Sequence, residues 1–488
     1  MNKQTENRIL GLIVALFGVY ITVRAFRLPI TVDEASTAIN HVPRLVVDTL
    51  FYEREANPNN HILNTLLIKM MTGIFGWHHF IVRLPVLMGA ALYAWAALQL
   101  SKRMANGTML RIFALLMFFG NPYLLEFFSF ARGYGLAAGL LAAAVEMACR
   151  FFDTQDPRQL RNSFVFAGLA VYANFTLLIF WAPFVFLLLL AVFSENWNLK
   201  SAWGKSKPAL VALLIFAALW FAPLKRLSRD SEIVNWNELG TWFESVQRIV
   251  RASIHANAYL GNGSDLALTR ILIAGVLAIT GIALFRLVKR SFRLQDDPRI
   301  FMALLLPLAA LANIAQVRLT HTPYLEARLG LFYWPLVAIS LSCAASWLHE
   351  RYGRKVAVAF VLPLSLLWTV NIARTVNLGK SLEWYHDTDT FTVLEYLKQA
   401  YLEEGRTEPY VIDTEWFMQN SFIFHLEKDT YGYAKYAKLP PFHGNQPPMK
   451  DADYYYAISG DRTQEALVYY DIVLRIPESS LVLCRRKK

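Results

Sequence analysis

The sequence predicts an α-helical polytopic membrane protein with a small soluble α/β domain at its C-terminal end. Of the 488 residues, 55% are hydrophobic and only 17% are charged. Apolar runs long enough to cross a hydrocarbon layer of about 30 Å recur along the first three quarters of the chain. A soluble protein of this length needs more charge to cover its surface, so the composition excludes a wholly soluble protein.

The formal net charge of +11 has a topological explanation. In a soluble protein, such a charge would favour nucleic-acid binding. Here the Lys and Arg residues concentrate in the loops between apolar runs, where they set the orientation of the helices, so we expect no nucleic-acid partner. The three cysteines, Cys149, Cys343 and Cys484, form neither a disulfide framework nor a zinc-binding spacing.

About eleven transmembrane helices are predicted from the apolar runs. The first run, residues 9–26, is longer than the apolar part of a cleaved signal peptide, so we expect it to be retained as a membrane helix. Most cationic loops then lie on one side, which predicts a cytoplasmic N-terminus and an extracytoplasmic C-terminal domain in the plasma (inner) membrane. The other predicted spans are residues 83–100, 110–128, 134–152, 163–175, 177–193, 209–224, 269–285, 300–316, 329–348 and 356–372.

The predicted outer loop at residues 28–82 contains a further apolar segment at residues 61–76. At 1.5 Å per residue this segment reaches only about 24 Å, which is short of a full crossing. His61, Thr65, Lys69 and Thr72 follow helical spacing and form one polar stripe. We therefore predict an amphipathic helix on the outer surface of the membrane.

From about Thr375 the apolar runs shorten and charged residues become frequent. This change predicts two domains, a transmembrane domain at residues 1–374 and a soluble α/β domain at residues 375–488. A helix is predicted at residues 388–402. Strands rich in Val, Ile and Tyr are predicted at residues 410–413, 454–458, 468–474 and 481–484.

The outer loop begins with two adjacent carboxylates, Asp33 and Glu34, just past the first predicted helix. One interpretation is purely structural: Thr31 or Asp33 caps the next helix, and Glu34 lies in its first turn. The other is a general base at the membrane surface, because a hydroxyl or amine acceptor must lose a proton as it attacks. Both interpretations stay open from the residues alone.

Three further polar motifs lie at predicted outer helix ends. In the run Asn57-Pro58-Asn59-Asn60-His61, the residues either form a turn and cap or direct Asn60 and His61 into a polar pocket. Near Tyr134, Arg132 either extends towards lipid headgroups or neutralises a phosphate, with Glu126 as its partner or as a second carboxylate. In the motif Tyr324-Leu-Glu326-Ala-Arg328, the two charged residues either pair with each other or complete a site for an anionic lipid.

The run Asp387-Thr388-Asp389 has the spacing of a motif that binds a metal and a nucleotide sugar. It lies in the C-terminal domain, which we predict to be outside the cytoplasm, where nucleotide sugars are not expected. We therefore do not take it as a donor site.

The order of these motifs resembles the membrane-embedded GT-C glycosyltransferases that use polyprenyl-phosphate sugars, such as protein O-mannosyltransferases and lipid A aminoarabinose transferases. An Asp-Glu pair follows the first helix, a histidine opens a surface helix, Arg-Leu-Pro at residues 83–85 opens the second span, and Ala-Arg-x-Tyr at residues 131–134 follows the third. Where the family often has His-Pro-Pro-Leu, this chain has Asn-Asn-His-Ile-Leu. The resemblance covers roughly the first 350 residues.

The resemblance implies a GT-C-like fold and a hexosyl or pentosyl transferase that acts by inverting displacement at the extracytoplasmic face. It implies that Asp33 is the general base and that Glu34 positions Asp33 or the loop. The implied partners are a polyprenyl-phosphate-linked sugar donor, a lipid, glycan or protein acceptor, and membrane lipids. No cofactor or metal is required by this scheme, and a divalent cation stays an open alternative. The implied donor-binding residues are Asn60, His61, Arg132, Tyr134, Tyr324, Glu326 and Arg328, with Glu126 as a candidate second carboxylate.

Two other functional classes stay open. A transporter or flippase of a lipid-linked sugar typically carries charged residues within its spans and often contains inverted repeats. Here the ionisable residues collect at predicted outer helix ends, and no internal repeat is evident. A polysaccharide polymerase or ligase typically depends on a large outer loop with Arg and His, and residues 229–268 contain His255 but no acidic pair. These features favour a transferase, which requires Asp33, Arg132 and Arg328 to share one water-filled hollow.

Overall fold

The structure is a computed structural model. It describes residues 2–53, 59–194, 199–230, 240–255, 259–291, 293–429, 432–441, 449–477 and 479–487. Asn57 and Pro58, which open the predicted polar run before His61, lie outside the described residues.

The chain divides into two compact units. The first, which we call the membrane unit, comprises residues 1–22, 46–64 and 86–376. The second, which we call the tail unit, comprises residues 23–45, 65–85 and 377–488. The tail unit therefore includes two segments of the predicted outer loop as well as the C-terminal residues.

Helices make up most of the described chain. They are α1 (Lys3–Arg27), α2 (Val32–Ser36), α3 (Val46–Phe51), α4 (Ile62–Phe75), α5 (His79–Val82), α6 (Leu84–Met104), α7 (Thr108–Phe119), α8 (Pro122–Phe127), α9 (Gly133–Thr154), α10 (Pro157–Ala173), α11 (Leu178–Ser194), α12 (Leu199–Asp230), α13 (Trp242–Ser253), α14 (Ser264–Lys289), α15 (Pro298–Thr320), α16 (Tyr333–Thr375), α17 (Thr390–Glu403), α18 (Gln419–Ile423) and α19 (Asp461–Ala466).

Within the described ranges, eight helical segments are long and apolar enough to cross a membrane. They involve α1, α6, α9, α11, α12, α14, α15 and α16. Helix α16 has 43 residues and is interrupted at Gly353, whose φ is 81°, so it corresponds to two of the predicted spans. The chain is an integral membrane protein, as predicted, whereas the count of eleven spans stays a prediction.

The predicted single span at residues 110–128 is wrong. The structure divides it into α7 and α8, which are separated by Gly120 and Asn121. The Asn121 side chain accepts a hydrogen bond of 3.1 Å from the Leu124 backbone, and Pro122 occupies the first helical position. An Asn cap followed by Pro starts a new helix, and these local signals outweigh the continuous apolar composition.

Helices α6 and α9 of the membrane unit cross at two glycines. A Cβ atom added at Gly139 would lie 2.2 Å from the Gly89 carbonyl oxygen, and one added at Gly89 would lie 2.6 Å from the Leu136 Cα atom. The two backbones therefore approach more closely than any side chain permits, as is typical of membrane helices that pack through small residues. This contact fixes α9 and hence its first residues, which contribute to the candidate site.

Helix α4 matches the short helix predicted for residues 61–76. Thr65 and Thr72 of its predicted polar stripe are buried, and Lys69 donates hydrogen bonds of 2.8 Å to two backbone carbonyls of the loop after α2. Met70 and Ile74 are exposed. The polar side of α4 thus faces protein, and its apolar side is available for contact with lipid.

The tail unit contains a five-stranded mixed sheet in the order β2-β1-β3-β5-β4. Strand β1 pairs in parallel with β2 and β3, whereas β5 pairs antiparallel with β3 and β4. All four predicted strands are confirmed, and the prediction missed the two-residue strand β2, which is too short to show a pattern. The strands are β1 (Tyr410–Thr414), β2 (Ala437–Lys438), β3 (Tyr454–Ile458), β4 (Tyr470–Ile476) and β5 (Leu481–Arg486).

Helix α17 covers one face of this sheet. Its Val393 and Leu397 are buried in one apolar cluster with Tyr410, Ile412 and Tyr454. The predicted helix at residues 388–402 is confirmed with its start two residues later. The alternation of apolar side chains along the strands produced this core.

The substitution Gly139→Ala should destabilise the protein by about 1–3 kcal/mol, because the added methyl group must force α6 and α9 apart. The thermal midpoint of the purified protein in detergent measures this effect. Gly275→Ala in α14 is the matched control, since a Cβ atom there meets nothing within 4 Å. Equal thermal midpoints for the two variants would contradict the close helix crossing.

Candidate active site

The Asp33-Glu34 pair lies on the short helix α2, whose start is a reciprocal cap. The Glu34 backbone N–H donates to Thr31 Oγ1 at 3.5 Å, and the Thr31 N–H donates to Glu34 Oε2 at 2.9 Å. This is a capping box, in which two unsatisfied N–H groups at a helix start are paired. The structural interpretation of Thr31 and Glu34 is therefore confirmed, whereas the role of Asp33 stays a prediction.

Glu34 also forms a buried ion pair with Arg83, and both side chains are fully buried. Arg83 Nε donates to Glu34 Oε1 at 2.8 Å and Arg83 Nη2 donates to Glu34 Oε2 at 2.7 Å. The remaining N–H groups of Arg83 donate to the carbonyls of Ala25, Leu28 and Pro29 at 2.6–2.9 Å. All five donors of the guanidinium are thus used. Glu34 holds the loop and is not placed to accept a proton from a substrate.

Asp33 is half-buried, and the C-terminal segment reaches the helix start beside it. The Val32 N–H donates to Asp387 Oδ2 at 2.7 Å, and the Ser421 hydroxyl donates to Asp387 Oδ1 at 2.6 Å. Burial, together with the negative charges of Asp33 and Glu34, raises the pKa of Asp387 to about 8.

His386 is the second side chain of this segment that faces Asp33. Burial lowers the pKa of His386 to about 4, and the charge of Asp33 acts in the opposite direction. The ring is therefore neutral at pH 7. Sequence reasoning missed His386 and considered Asp387 only within a metal-binding motif that it set aside, because nothing in a tail that follows the last membrane helix indicates proximity to residue 33.

A second polar cluster of the tail unit surrounds Asp429. Its Oδ2 atom lies 2.9 Å from His425 Nδ1 and 3.1 Å from His79 Nδ1. His425 Nε2 accepts from the Ile30 N–H at 3.2 Å, and His79 Nε2 lies 2.9 Å from the Phe26 carbonyl. Burial opposes ionisation of Asp429, yet the hydrogen bonds from the two histidines hold its pKa well below the usual range. Burial lowers the pKa of His425 to about 4.

His78, His79 and Asp429 have ligand atoms within 4.8 Å of one another, which is a spacing that suits a transition metal. The hydrogen bonds fit a metal poorly. His78 Nδ1 accepts from the Phe80 N–H at 3.1 Å, so the proton of its neutral ring lies on Nε2. Asp429 Oδ2 already accepts from His425. We therefore interpret the cluster as a hydrogen-bond network that stabilises the tail unit.

The membrane unit brings together another group of the predicted residues around His61. The His61 side chain is 6% exposed, packs edge-to-face on the Tyr134 ring at 4.8 Å, and is hydrogen-bonded to the Ala173 backbone. A Cβ atom added at Gly133 would lie 2.1 Å from the Ala173 oxygen and 2.7 Å from His61 Cβ. Gly133 is thus the sequence signal for this packing, because any larger residue would displace His61.

The positive charges of two arginines influence the pKa of His61. Arg132 is fully buried and its Nη2 donates to Asn59 Oδ1 at 3.1 Å. Burial, together with the positive charges of Arg132 and Arg328, holds the pKa of His61 well below its ordinary value. A neutral histidine near two permanent cations is an environment that favours an oxyanion such as phosphate, because the N–H groups of a guanidinium match the spacing of its oxygen atoms.

The other predicted residues have more varied surroundings. The Asn60 carbonyl accepts a hydrogen bond from the Tyr52 hydroxyl, and Glu126 and Tyr324 are buried. Glu326 pairs with Arg248 of α13, so the interpretation that Glu326 pairs with Arg328 is wrong. The actual partner of Glu326 lies on α13, 78 positions earlier in the chain, so the sequence around Glu326 does not indicate it.

Asp33 and Glu34 belong to the tail unit, whereas the other predicted site residues belong to the membrane unit. The prediction that Asp33, Arg132 and Arg328 share one hollow stays a prediction.

The substitution Arg83→Lys should destabilise the protein by about 1–3 kcal/mol, because the three donors of an ammonium group cannot replace the five of the guanidinium and buried carbonyls lose their donor. The thermal midpoint of the purified protein measures the loss. Arg485→Lys is the matched control, since Arg485 pairs with Glu404 in a partly exposed position. Exposed pairs contribute at most about 1 kcal/mol. Similar midpoints for the two variants would show that the Arg83 pair is not structural.

No family model matches the chain, and no curated protein matches its sequence. The crystal structure of ArnT from Cupriavidus metallidurans bound to undecaprenyl phosphate has a TM-score of 0.53, 13% identity and coverage of 97% of each chain. The same protein in the apo state has a TM-score of 0.52, 12% identity and coverage of 98% of each chain.

An oligosaccharyltransferase from Archaeoglobus fulgidus in complex with zinc and sulfate has a TM-score of 0.46 and 14% identity over 96% of this chain and 72% of its own. At such identities, similarity concerns the fold alone, which is supported by the two ArnT structures with TM-scores of 0.53 and 0.52. They cover nearly the whole chain, including the C-terminal residues that the sequence resemblance did not reach. The chain has the GT-C fold, as the order of its motifs predicted.

Proposed function

We propose that this protein is a glycosyltransferase that moves a sugar from a polyprenyl-phosphate carrier to an acceptor at the extracytoplasmic face of the membrane. The observation that carries the proposal is the group formed by the buried His61, the buried Arg132 and the half-buried Arg328, whose positive charges both lower the pKa of His61. Such a group suits the phosphate of a lipid-linked sugar. The similar ArnT structure, which is bound to undecaprenyl phosphate, supports the same class of donor.

In this proposal, the donor phosphate binds to Arg132 and Arg328, and Tyr134 and Asn60 line the same site. His61 Nε2 is buried, and within the described ranges it has no hydrogen-bond partner. The other ring nitrogen is held by the Ala173 backbone, so Nε2 is the atom that accepts a hydrogen bond from a sugar hydroxyl of the donor. Tyr324 and Glu326 belong to the same predicted donor site.

Asp33 acts on the acceptor. Its carboxylate takes the proton of an acceptor hydroxyl or amine as that atom bonds to the anomeric carbon. The bond between the anomeric carbon and the phosphate oxygen breaks, and the configuration inverts. The phosphate changes from a diester with one negative charge to a monoester with greater charge. Arg132 and Arg328 stabilise that increase.

The acceptor is a lipid, a glycan or a protein, and the sugar is a hexose or a pentose. The plasma (inner) membrane, with the N-terminus in the cytoplasm, is the proposed location. No cofactor is required by this mechanism. One alternative is a flippase of the lipid-linked sugar, which would leave the donor unbroken. The other is a polysaccharide polymerase or ligase, which would yield a polymeric product.

The central experiment supplies purified protein with a panel of undecaprenyl-phosphate-linked hexoses and pentoses and an envelope extract as the source of acceptors. Release of undecaprenyl phosphate together with a mass increase in an acceptor, both measured by mass spectrometry, is expected. Movement of intact donors across a vesicle membrane without release would instead establish a flippase.

The substitution Asp33→Asn should abolish transfer, because an amide cannot take the acceptor proton, while leaving membrane insertion and the thermal midpoint intact. Asp451→Asn, a change of an exposed carboxylate in the same unit, should leave turnover unchanged. Normal turnover with Asp33→Asn would refute the assignment of the general base.

The substitution Arg132→Gln should lower kcat/KM for the donor by about 10²- to 10³-fold, because it removes a cation that stabilises the leaving phosphate. Gly133→Ala should also weaken donor binding, since its methyl group displaces His61. Arg158→Gln, at an exposed position of α10, is the control. If the donor kinetics of Arg132→Gln equal those of the control, the phosphate site lies elsewhere.

A further inference from the structure

The Asp387-Thr388-Asp389 run plays no part in the proposed donor site, yet Asp387 is buried beside the helix that carries Asp33. We propose that Asp387 is a positioning residue for Asp33, so that the C-terminal segment is a working part of the catalytic site. This inference rests on the proposed function, in which Asp33 is the general base. All of the residues that carry it belong to the tail unit.

The geometry joins the two segments residue by residue. Val32 directly precedes Asp33, and its N–H donates to Asp387 Oδ2 at 2.7 Å. That N–H belongs to the first turn of α2, whose N–H groups have no partner within the helix. Asp387 therefore fixes the end of the helix from which the Asp33 side chain projects. Helix α18 holds Asp387 in turn, through the Ser421 hydroxyl at 2.6 Å.

An ionised carboxylate at this buried position has a large desolvation cost, although it makes these two hydrogen bonds. Asp387 is 1% exposed and lies near two other acids, Asp33 and Glu34. An amide of the same shape satisfies both contacts, since its oxygen accepts from the Val32 N–H and its NH₂ group donates to the Ser421 oxygen. Stability alone would therefore favour Asn at this position. Residues that weaken the fold in this way are typical of functional sites.

Asp387 differs from an amide in that it can ionise. Its ionised form places a negative charge beside the Asp33 carboxylate, which attracts the acceptor proton, and an amide at this position does not supply that charge. Among the described residues, the groups that face Asp387 are Asp33 and Glu34 from the loop, the Ser421 hydroxyl from α18, Tyr456 from β3 and the neutral ring of His386. The His386 ring is held edge-to-face on Phe417 at 5.0 Å.

The pH dependence of stability has a definite sign. The pKa of Asp387 is raised from its model-compound value of 3.8 to about 8 in the folded protein. Between these values the folded state binds more protons than the unfolded state, so this residue lowers stability progressively as the pH rises. The substitution Asp387→Asn should remove that decline.

The test compares Asp387→Asn with Asp389→Asn in the full-length protein. Asp389→Asn makes the same change of charge two residues away. Asp387→Asn keeps both hydrogen bonds and loses only the charge, so we expect kcat to fall by about tenfold with the donor panel used above, with KM little changed and the thermal midpoint at pH 8.5 equal to or above that of the wild type. The wild-type rate should rise near pH 8, where Asp387 ionises, and this rise should be absent in Asp387→Asn. Asp389→Asn should retain wild-type kcat.

A lower thermal midpoint with normal kcat would overturn the proposal and make Asp387 purely structural. Equal losses of kcat in both variants would also overturn it, because a general loss of charge would then be responsible. If the wild type cleaves none of the donors, the proposed function fails and this inference fails with it. If the wild type and Asp387→Asn are equally active, the inference alone fails.

Discussion

The arrangement around Asp33 depends on the buried ion pair between Arg83 and Glu34. The guanidinium directs its five N–H groups to the two carboxylate oxygens and to three carbonyls between Ala25 and Pro29. A buried guanidinium requires this complete pairing, because each donor left alone would carry its full desolvation cost. The pair thereby determines the path of the chain from the end of α1 to α2, and with it the position from which Asp33 projects.

The buried acids of the tail unit differ in what neutralises them. Glu34 faces a guanidinium, and Asp429 faces two histidine rings whose hydrogen bonds favour its ionised form. Asp387 instead faces a backbone N–H, a hydroxyl and the His386 ring, whose pKa burial lowers to about 4. Its ionised form is therefore disfavoured, which is a common property of groups that act near catalytic carboxylates.

The candidate site was predicted in part. His61, Arg132 and Tyr134 were recognised because polar residues at the ends of apolar helices require an explanation, and the structure brings these three together. The close approach that Gly133 permits could have been noticed in the sequence, since a glycine between Arg132 and Tyr134 indicates tight packing. The partner of Glu326 could not, because Arg248 lies 78 residues away on a helix with no local link to it.

The sequence by itself determined the class of the protein, the positions of nearly all long helices and the four main strands of the tail. These features follow from apolar run length and from side-chain alternation, which are local properties of the chain. Only the tertiary structure decided which buried charged and polar groups meet. Pairs such as Arg83 with Glu34 and Val32 with Asp387 join residues separated by 49 and 355 positions, and nothing in the local pattern of either partner encodes the other.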